Sequence, residues 1–374
     1  MSLLPGGTIG FLGGGQLGRM AAMAARSLGY DVQVLDPDPA CPARGVASRT
    51  ITAAFDDAEA AARLASECGV LTLEIEQVAV ASLEAAARHA PVRPGAAAIH
   101  VIQDRGRQKE WLRDAGFPVG PFRVADSAEE LHAAALALGA SVAKTTHGGY
   151  DGRGQARLAG ADDAAAVWKV IGGRRCVVEQ WLSIEREISA LVARRPGGEC
   201  ALFPLAQNHH DAGVLTWSMT PAAADPALAD AARDLARGIA EALDVVGLLA
   251  VEMFVLADGR LLVNELAPRP HNTFHATERA CETSQFEQLV RAVCDLPLGS
   301  TALVRPGAII NLLGDLWSGG GTPAFARALE VPGVRLHLYG KAAARPGRKM
   351  GHLSALGETP DAARALVQEA YRRL

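Results

Sequence analysis

No stretch of apolar side chains approaches the roughly 18 residues that a membrane-spanning helix needs. The opening Met1-Ser2-Leu3-Leu4-Pro5-Gly6-Gly7 also lacks the basic and apolar segments of a secretory signal. Both absences lead to the expectation of a cytoplasmic protein. Basic side chains are not in excess: 37 Lys and Arg against 41 Asp and Glu leave a net charge of −4. Without a global positive field the chain is not suited to nucleic acid or an anionic membrane, so any anion site must be local. Cys41, Cys68, Cys176, Cys200, Cys281 and Cys294 include no Cys-x-x-Cys pair and no nearby histidine pair of zinc-site spacing, which leaves reduced core thiols. The kinase motifs H-R-D and D-F-G are missing. So is G-x-x-x-x-G-K-[ST], which excludes a P-loop nucleotide fold.

The chain has 374 residues, 49% hydrophobic and 21% charged, enough for two or three domains with a substantial core. Residues 8–12 read as a strand, followed by Gly13-Gly14-Gly15-Gln16-Leu17-Gly18 and a helix over 19–28. A second strand over 32–35 ends in Asp36, giving a βαβ opening of Rossmann type, and a third over 70–73 runs into Glu74-Ile75-Glu76. The first domain is expected to finish near residue 100. Beyond it, helices near 127–138 and 161–171 with strands between them fit a small α+β lobe. A long helix over 226–243 and an apolar hairpin over 248–266 follow. The tail beyond Ser300, rich in glycine, proline and short strands, reads as a small separate module.

Six features carry chemistry. The opening G-x-G-x-x-G with Asp36 about 20 residues on predicts, taken alone, an NAD-dependent oxidoreductase. Between Lys144 and Gln155 the chain reads KTTHGGYDGRGQ. Its glycines free the backbone to turn N–H groups toward an anion, Lys144 projects from a strand end, and Arg153 adds a fork of donors, so the segment reads as a loop that closes over a phosphate. The hairpin carries Glu252 and Glu265 around Asp258-Gly259, a dipeptide favoured in two-residue type I′ turns. If Ala257 pairs with Arg260, Glu252 faces Glu265, and two facing carboxylates repel unless a cation lies between them. An oxygen-only pair suits Mg²⁺, which commonly takes one or two carboxylates together with nucleotide phosphates. Finally, Val177 to Leu182, with Glu179, Gln180 and Trp181, reads as a strand leading into a linker that can meet an adenine edge, with Glu187 placed for ribose hydroxyls. Two basic loops complete the set: Arg269 and His271 beside the glutamates, and Lys341, Arg345, Arg348 and Lys349 near the C-terminus.

The order of lysine, glycine-rich lid, adenine linker and paired metal acids resembles the ATP-grasp superfamily. GGGQLGRM at 13–20, GGYDGRGQ at 148–155, NELAPRPHN at 264–272 and RPGRKMGH at 345–352 resemble, within it, the 5-(carboxyamino)imidazole ribonucleotide synthases of purine biosynthesis. The resemblance implies an α/β and α+β architecture: a Rossmann-like domain over 1–102, an ATP-grasp domain over 103–299 with a lid lobe over about 115–182, and a β-rich C-terminal module over 300–374 packing on it. It implies ATP and Mg²⁺, with Mn²⁺ as substitute, as cofactors. Bicarbonate and 5-aminoimidazole ribonucleotide would be the substrates, and the enzyme a homodimeric ligase. ATP would be held by Arg105, Lys144, Gly149, Tyr150, Asp151, Gly152, Arg153, Gly154, Gln155, Glu179 to Leu182, Glu187 and His210. Asn264, Glu265 and Glu252 would hold the metal. The ribonucleotide would meet Gln16, Leu17, Glu74 or Glu76, Tyr150, Asp151, Arg269, His271, Asn272, Lys341, Arg348 and Lys349. Asp151, Arg153, Arg269 and Lys144 are the expected catalytic residues. Thr273-Phe274 stands where the family leads one to expect a small Ser-Gly pair, which bears on the pocket beside His271. Two rival functions are a formate-dependent glycinamide ribonucleotide transformylase of the same superfamily and the oxidoreductase suggested by the first domain.

Overall fold

The computed structural model describes residues 2–149 and 154–374. Alternating apolar runs and Ala-rich helices build a first sheet from β1 (Thr8–Leu12), β2 (Asp31–Asp36), β3 (Arg49–Thr52) and β4 (Val70–Leu73), parallel throughout and ordered β3-β2-β1-β4. β4 is buried along its whole length, as a parallel strand covered on both faces should be. The helix Gln16–Ser27 begins inside the glycine run, three residues earlier than its apolar period suggests, and buries Leu17, Met20, Ala21 and Ala25.

A second, antiparallel sheet joins β5 (Phe122–Ala125), β6 (Ser141–Thr145), β7 (Gln155–Leu158) and β8 (Cys176–Gln180) in the order β5-β8-β6-β7. The helix Ala128–Leu138, capped by the Ser127 side chain, packs Leu131, Ala134 and Ala135 on it. Lys144 pairs with Gln155, so the glycine loop is the connection from β6 to the edge strand β7.

The third sheet has nine strands and is antiparallel: β9 (Ile184–Arg194), β10 (Cys200–Leu202), β11 (Ala206–Asp211), β12 (Val214–Thr220), β13 (Gly247–Leu256), β14 (Leu261–Ala267), β15 (Gly307–Leu313), β16 (Arg335–Leu338) and β17 (Lys349–Leu356). Its order is β14-β13-β9-β11-β12-β15-β17-β16, with β10 added to β9. The helix Pro226–Ala242 packs Ala236 and Ile239 against Val192 and Leu249, while the helix Gln285–Val293 brings Leu289 and Val293 to Leu191 and Leu248. The C-terminal segment is the β-rich module expected, and it packs on the central domain by continuing its sheet. β15 pairs with β12 from Trp217↔Ile310 to Thr220↔Gly307, which makes one continuous sheet. The physical reason is that β15, Gly-Ala-Ile-Ile-Asn-Leu-Leu, is buried over six of its seven residues and needs a neighbour on each side.

The hairpin departs from the expected turn. Leu256 N–H donates to the Arg260 carbonyl at 2.9 Å and Gly259 takes φ +82°, so the loop has three residues, Ala257, Asp258 and Gly259, rather than two. That shifts the register by one, to Met253↔Val263. A bulge at Asn264 then shifts it back, and Glu252 does pair with Glu265.

Candidate active site

The bulge places three oxygen-bearing side chains together. Glu252, Asn264 and Glu265 line one cavity of about 260 Å³ with Arg105, Lys144, Glu187, His210, Arg269 and His271. Burial pushes the Glu252 carboxyl up, and facing Glu265 and Glu187 add to this, so that it reaches about 7 despite the opposing pull of His210. A largely buried carboxyl raised by burial and by two facing carboxylates fits a missing positive charge, and the donor set, oxygen only, fits a hard divalent ion. His210 Nδ1 lies 2.6 Å from Glu187 Oε2. Burial works against the charged imidazole there, but Glu187 and Glu252 outweigh it and raise its pKa. Arg105 donates to the carbonyls of Thr145 and Gly149, on either side of the lysine-glycine turn, and stands 3.8 Å from Glu265.

A second cavity, about 280 Å³, shares Lys144, Gln155, Glu187 and His210 with the first. Val142, Leu182, Ile184, Phe254 and Val263 give it an apolar lining, with the linker Gln180-Trp181-Leu182 along one side. Such a slot accepts a flat aromatic ring. Trp181 is half exposed at the edge of the slot, its ring covered by the Arg157 guanidinium at 4.2 Å. At the floor, Glu179 lies 3.0 Å from Lys109 and 3.0 Å from Lys144. Burial alone would raise its carboxyl, but the two ammonium groups bring it down to about 2.

A third cavity, about 480 Å³, shares Arg269, Asn272 and Lys349 with the first and is lined further by Gln16, Leu17, Glu74, Glu76, Lys341, Arg345 and Arg348. Arg269 Nε lies 2.8 Å from Glu76 Oε1. Gln16 donates to Asn272 at 2.8 Å and accepts from Lys341, whose ammonium also reaches the Lys349 carbonyl at 2.6 Å. His271 Nδ1 meets Thr273 Oγ1 at 2.9 Å, and burial together with Arg269 and Lys349 keeps the imidazole neutral, its pKa well below 6.5.

The oxidoreductase reading fails at the glycine turn. Gly14 N–H donates to Asp36 Oδ2 at 2.7 Å, and Gly15 and Gly18 N–H donate to the two oxygens of Glu74 at 2.7 and 3.0 Å. The amides that would cradle a dinucleotide are satisfied by the chain's own carboxylates, and Asp36 is buried at that task. Glu74 therefore shapes the wall of the third cavity by holding the turn.

Comparison with known proteins agrees with this geometry. Family models match residues 7–103 (ribonucleotide synthetase preATP-grasp domain), 110–286 (ATP-grasp domain) and 307–366 (phosphoribosylaminoimidazole carboxylase C-terminal domain). The N5-carboxyaminoimidazole ribonucleotide synthase of Brucella melitensis is 46% identical over 95% of this chain and 98% of its own length. That of Bacillus subtilis is 41% identical over 96% and 94%. The chain belongs to the N5-carboxyaminoimidazole ribonucleotide synthase family. Among solved structures, an ADP complex of an N5-carboxyaminoimidazole ribonucleotide synthetase superposes with a TM-score of 0.93 at 41% identity, covering 99% of this chain and 97% of that one. The Aspergillus clavatus N5-carboxyaminoimidazole synthase in complex with ADP and 5-aminoimidazole ribonucleotide gives 0.89 at 32% identity, covering 98% of each chain. The fold is thus the ATP-grasp fold with its N-terminal pre-ATP-grasp domain, and the protein is an ATP-dependent ligase of this family.

Within that framework the expected site residues line cavities that share residues, apart from Gly149, whose carbonyl accepts from Arg105 outside their linings, and Tyr150, Asp151, Gly152 and Arg153, which lie outside the described residues. Thr273 and Phe274, the pair that departed from the family pattern, do not crowd the pocket. Thr273 is buried and supports His271, and Phe274 packs on Phe203 in the core with ring centroids 6.5 Å apart. Sequence reading missed Lys109. It lies in Arg105-Gly-Arg-Gln-Lys-Glu-Trp-Leu-Arg-Asp114, a helix so charged that it reads as a solvated face, yet Lys109 and Gln108 are buried. A lysine four residues after Arg105 shares its helix face, the one signal available. Phe254 and Gly213 were also missed. The six cysteines are free, with Cys41, Cys176, Cys281 and Cys294 buried. No helix among the described residues is long and apolar enough to cross a membrane.

Proposed function

We propose that the cleft binds ATP with its base in the apolar slot and its phosphates between Lys144, Arg105 and the Glu252–Glu265 pair, and carboxylates 5-aminoimidazole ribonucleotide on its exocyclic amine. The observation that carries this reading is that Arg269, Asn272 and Lys349 line both the phosphate cavity and the basic third cavity. An intermediate made at one is formed beside the other, where it can be consumed. Glu252, Glu265 and Asn264 would hold Mg²⁺ or Mn²⁺, which supplies charge neutralisation for the phosphates. An oxygen of bicarbonate attacks the γ-phosphorus, ADP leaves, and carboxyphosphate forms. Lys144 and Arg105 offset the charge that develops there. Arg269, partly buried and aligned by Glu76, holds bicarbonate at the junction. Carboxyphosphate cleaves its C–O bond to give CO₂ and phosphate, and the ribonucleotide amine attacks the carbon and loses a proton. Asp151 is assigned to orient or deprotonate that amine, Arg153 to join Lys144 over the phosphates, and Lys341, Arg348 and Lys349 to hold the substrate phosphate. A homodimer, implied by the family resemblance, belongs to the same reading.

Phosphate release with purified enzyme tests it. Turnover is expected only with bicarbonate and 5-aminoimidazole ribonucleotide together. Turnover with formate and glycinamide ribonucleotide would favour the transformylase. Asp151→Asn at near-normal turnover would remove that residue's role, and Arg269→Ala with an unchanged bicarbonate KM would remove the other.

A further inference from the structure

Away from the cleft, three ligand-type side chains converge from two distant parts of the chain. His337 on β16 and His352 on β17 are direct cross-strand partners, so both imidazoles leave the same face of the sheet. Their rings stack with centroids 5.1 Å apart and planes 10° apart. The short helix Thr277–Ala280 brings Glu278 to them, its Oε2 3.9 Å from His337 Nδ1. One donor atom from each of the three lies within 4.8 Å of the other two, a clustering of His, Cys, Asp and Glu donors found nowhere else among the described residues. We propose that Glu278, His337 and His352 form a binding site for a borderline divalent transition-metal ion of the Zn²⁺ class, which ties the helix Thr277–Ala280 to the C-terminal strands.

The surroundings are those of a ligand set rather than of three polar groups packed by chance. Tyr339 Oη, 2.9 Å from His352 Nδ1, occupies one ring nitrogen and fixes the ring's rotation, the outer-shell bond that metal-ligating histidines make. On its other face His352 stacks on His275 at 4.7 Å, which holds the ring plane. Burial lowers the pKa of both His337 and His352, so each is neutral at pH 7 and a cation displaces no proton from them. Two nitrogens and one carboxylate oxygen suit Zn²⁺, Co²⁺ or Ni²⁺ and not Mg²⁺. Bond lengths of about 2.0–2.2 Å require the donors to close up by side-chain rotation. Glu278, a third exposed, is free to do this, and it borders a cavity of about 220 Å³ with Met20, Met23 and Phe286. Arg335 beside Glu278 and Arg19 beside His337 put positive charge nearby, which weakens the site relative to an all-acidic cage.

Titration of the full chain with Co²⁺ in excess Mg²⁺ tests the proposal, because Mg²⁺ fills the oxygen-only Glu252–Glu265 pair and Co²⁺ on nitrogen ligands absorbs in the visible. One equivalent is expected to develop a saturable band that Zn²⁺ displaces. His337→Ala and Glu278→Ala, each checked for native circular dichroism, are expected to lose that band and to lose the Zn²⁺-induced rise in Tm while still forming ADP normally. Absence of the band in the wild type, or its full retention in either variant, would overturn the proposal.

Discussion

Replacing Lys109 by methionine keeps most of the side-chain stem and removes one of the two ammonium groups on Glu179. Lys109 and Glu179 are both buried, and each lysine sits 3.0 Å from its own carboxylate oxygen. Breaking a buried ion pair costs about 3–5 kcal/mol because the surviving charge is left unpaired. Here Lys144 remains, so Glu179 stays half compensated and the loss should be nearer about 2 kcal/mol. The intact pair is no large source of stability, since burial lowers the Lys109 pKa even as the Lys109 ammonium helps lower that of Glu179. The functional effect follows from the same geometry. With Glu179 depending on Lys144 alone, that ammonium is drawn toward the floor and away from the phosphates, and one charge-assisted hydrogen bond of about 1.5–3 kcal/mol is weakened. ATP KM should rise about tenfold, the equivalent of about 1.4 kcal/mol. Urea unfolding and steady-state ADP formation read the two effects. Lys109→Met combined with Glu179→Gln should be less destabilised than the sum of the single changes, because no charge is then stranded. The reasoning is refuted if Lys109→Met unfolds within about 0.5 kcal/mol of wild type and binds ATP unchanged.

Asp36→Ala should cost about 1–3 kcal/mol in urea unfolding by stranding the Gly14 N–H, with ATP kinetics little altered; a loss of nicotinamide binding in place of stability would revive the dinucleotide reading. Thr273→Val should raise the KM for 5-aminoimidazole ribonucleotide several-fold by loosening His271 while leaving ATP KM unchanged; a change confined to ATP KM would place His271 against the nucleotide. The folded-state pKa of Glu179, about 2, lies below its ordinary 4.5, so its stabilisation is complete above pH 4.5 and is lost as pH falls from there toward 2. Urea unfolding at pH 5, 4 and 3 should therefore show wild type losing stability more steeply than Glu179→Gln. Parallel slopes would show that the two lysines do not hold this carboxylate.

Much of the architecture was legible because it rests on local signals. The parallel strands over 8–12, 32–35 and 70–73 are short, mostly apolar runs, and Ser127 caps its helix where a short polar side chain before an apolar period says it should. The site acids were legible for a weaker reason. A two-residue turn predicts the right partner for Glu252 only because a three-residue turn and a bulge at Asn264 cancel, and neither is dictated by the Asp-Gly dipeptide. What stayed hidden depends on long-range partners. The glycine-rich turn looks the same whether its amides face a ligand or, as here, Asp36 and Glu74 from the ends of the two strands flanking β1. Lys109 reads as solvent-facing until Glu179, seventy residues on, is folded beneath it. The join of β15 to β12 likewise lies in pairing across the sheet, and composition marks only a glycine- and proline-rich tail.

Oxygen tracing through a single turnover separates this chemistry from its rivals. With ¹⁸O-bicarbonate, unlabelled water, ATP and 5-aminoimidazole ribonucleotide, attack on the γ-phosphorus should deliver one bicarbonate oxygen to each inorganic phosphate released. Phosphate free of label, with carboxylated product still formed, would contradict passage through carboxyphosphate in this cleft.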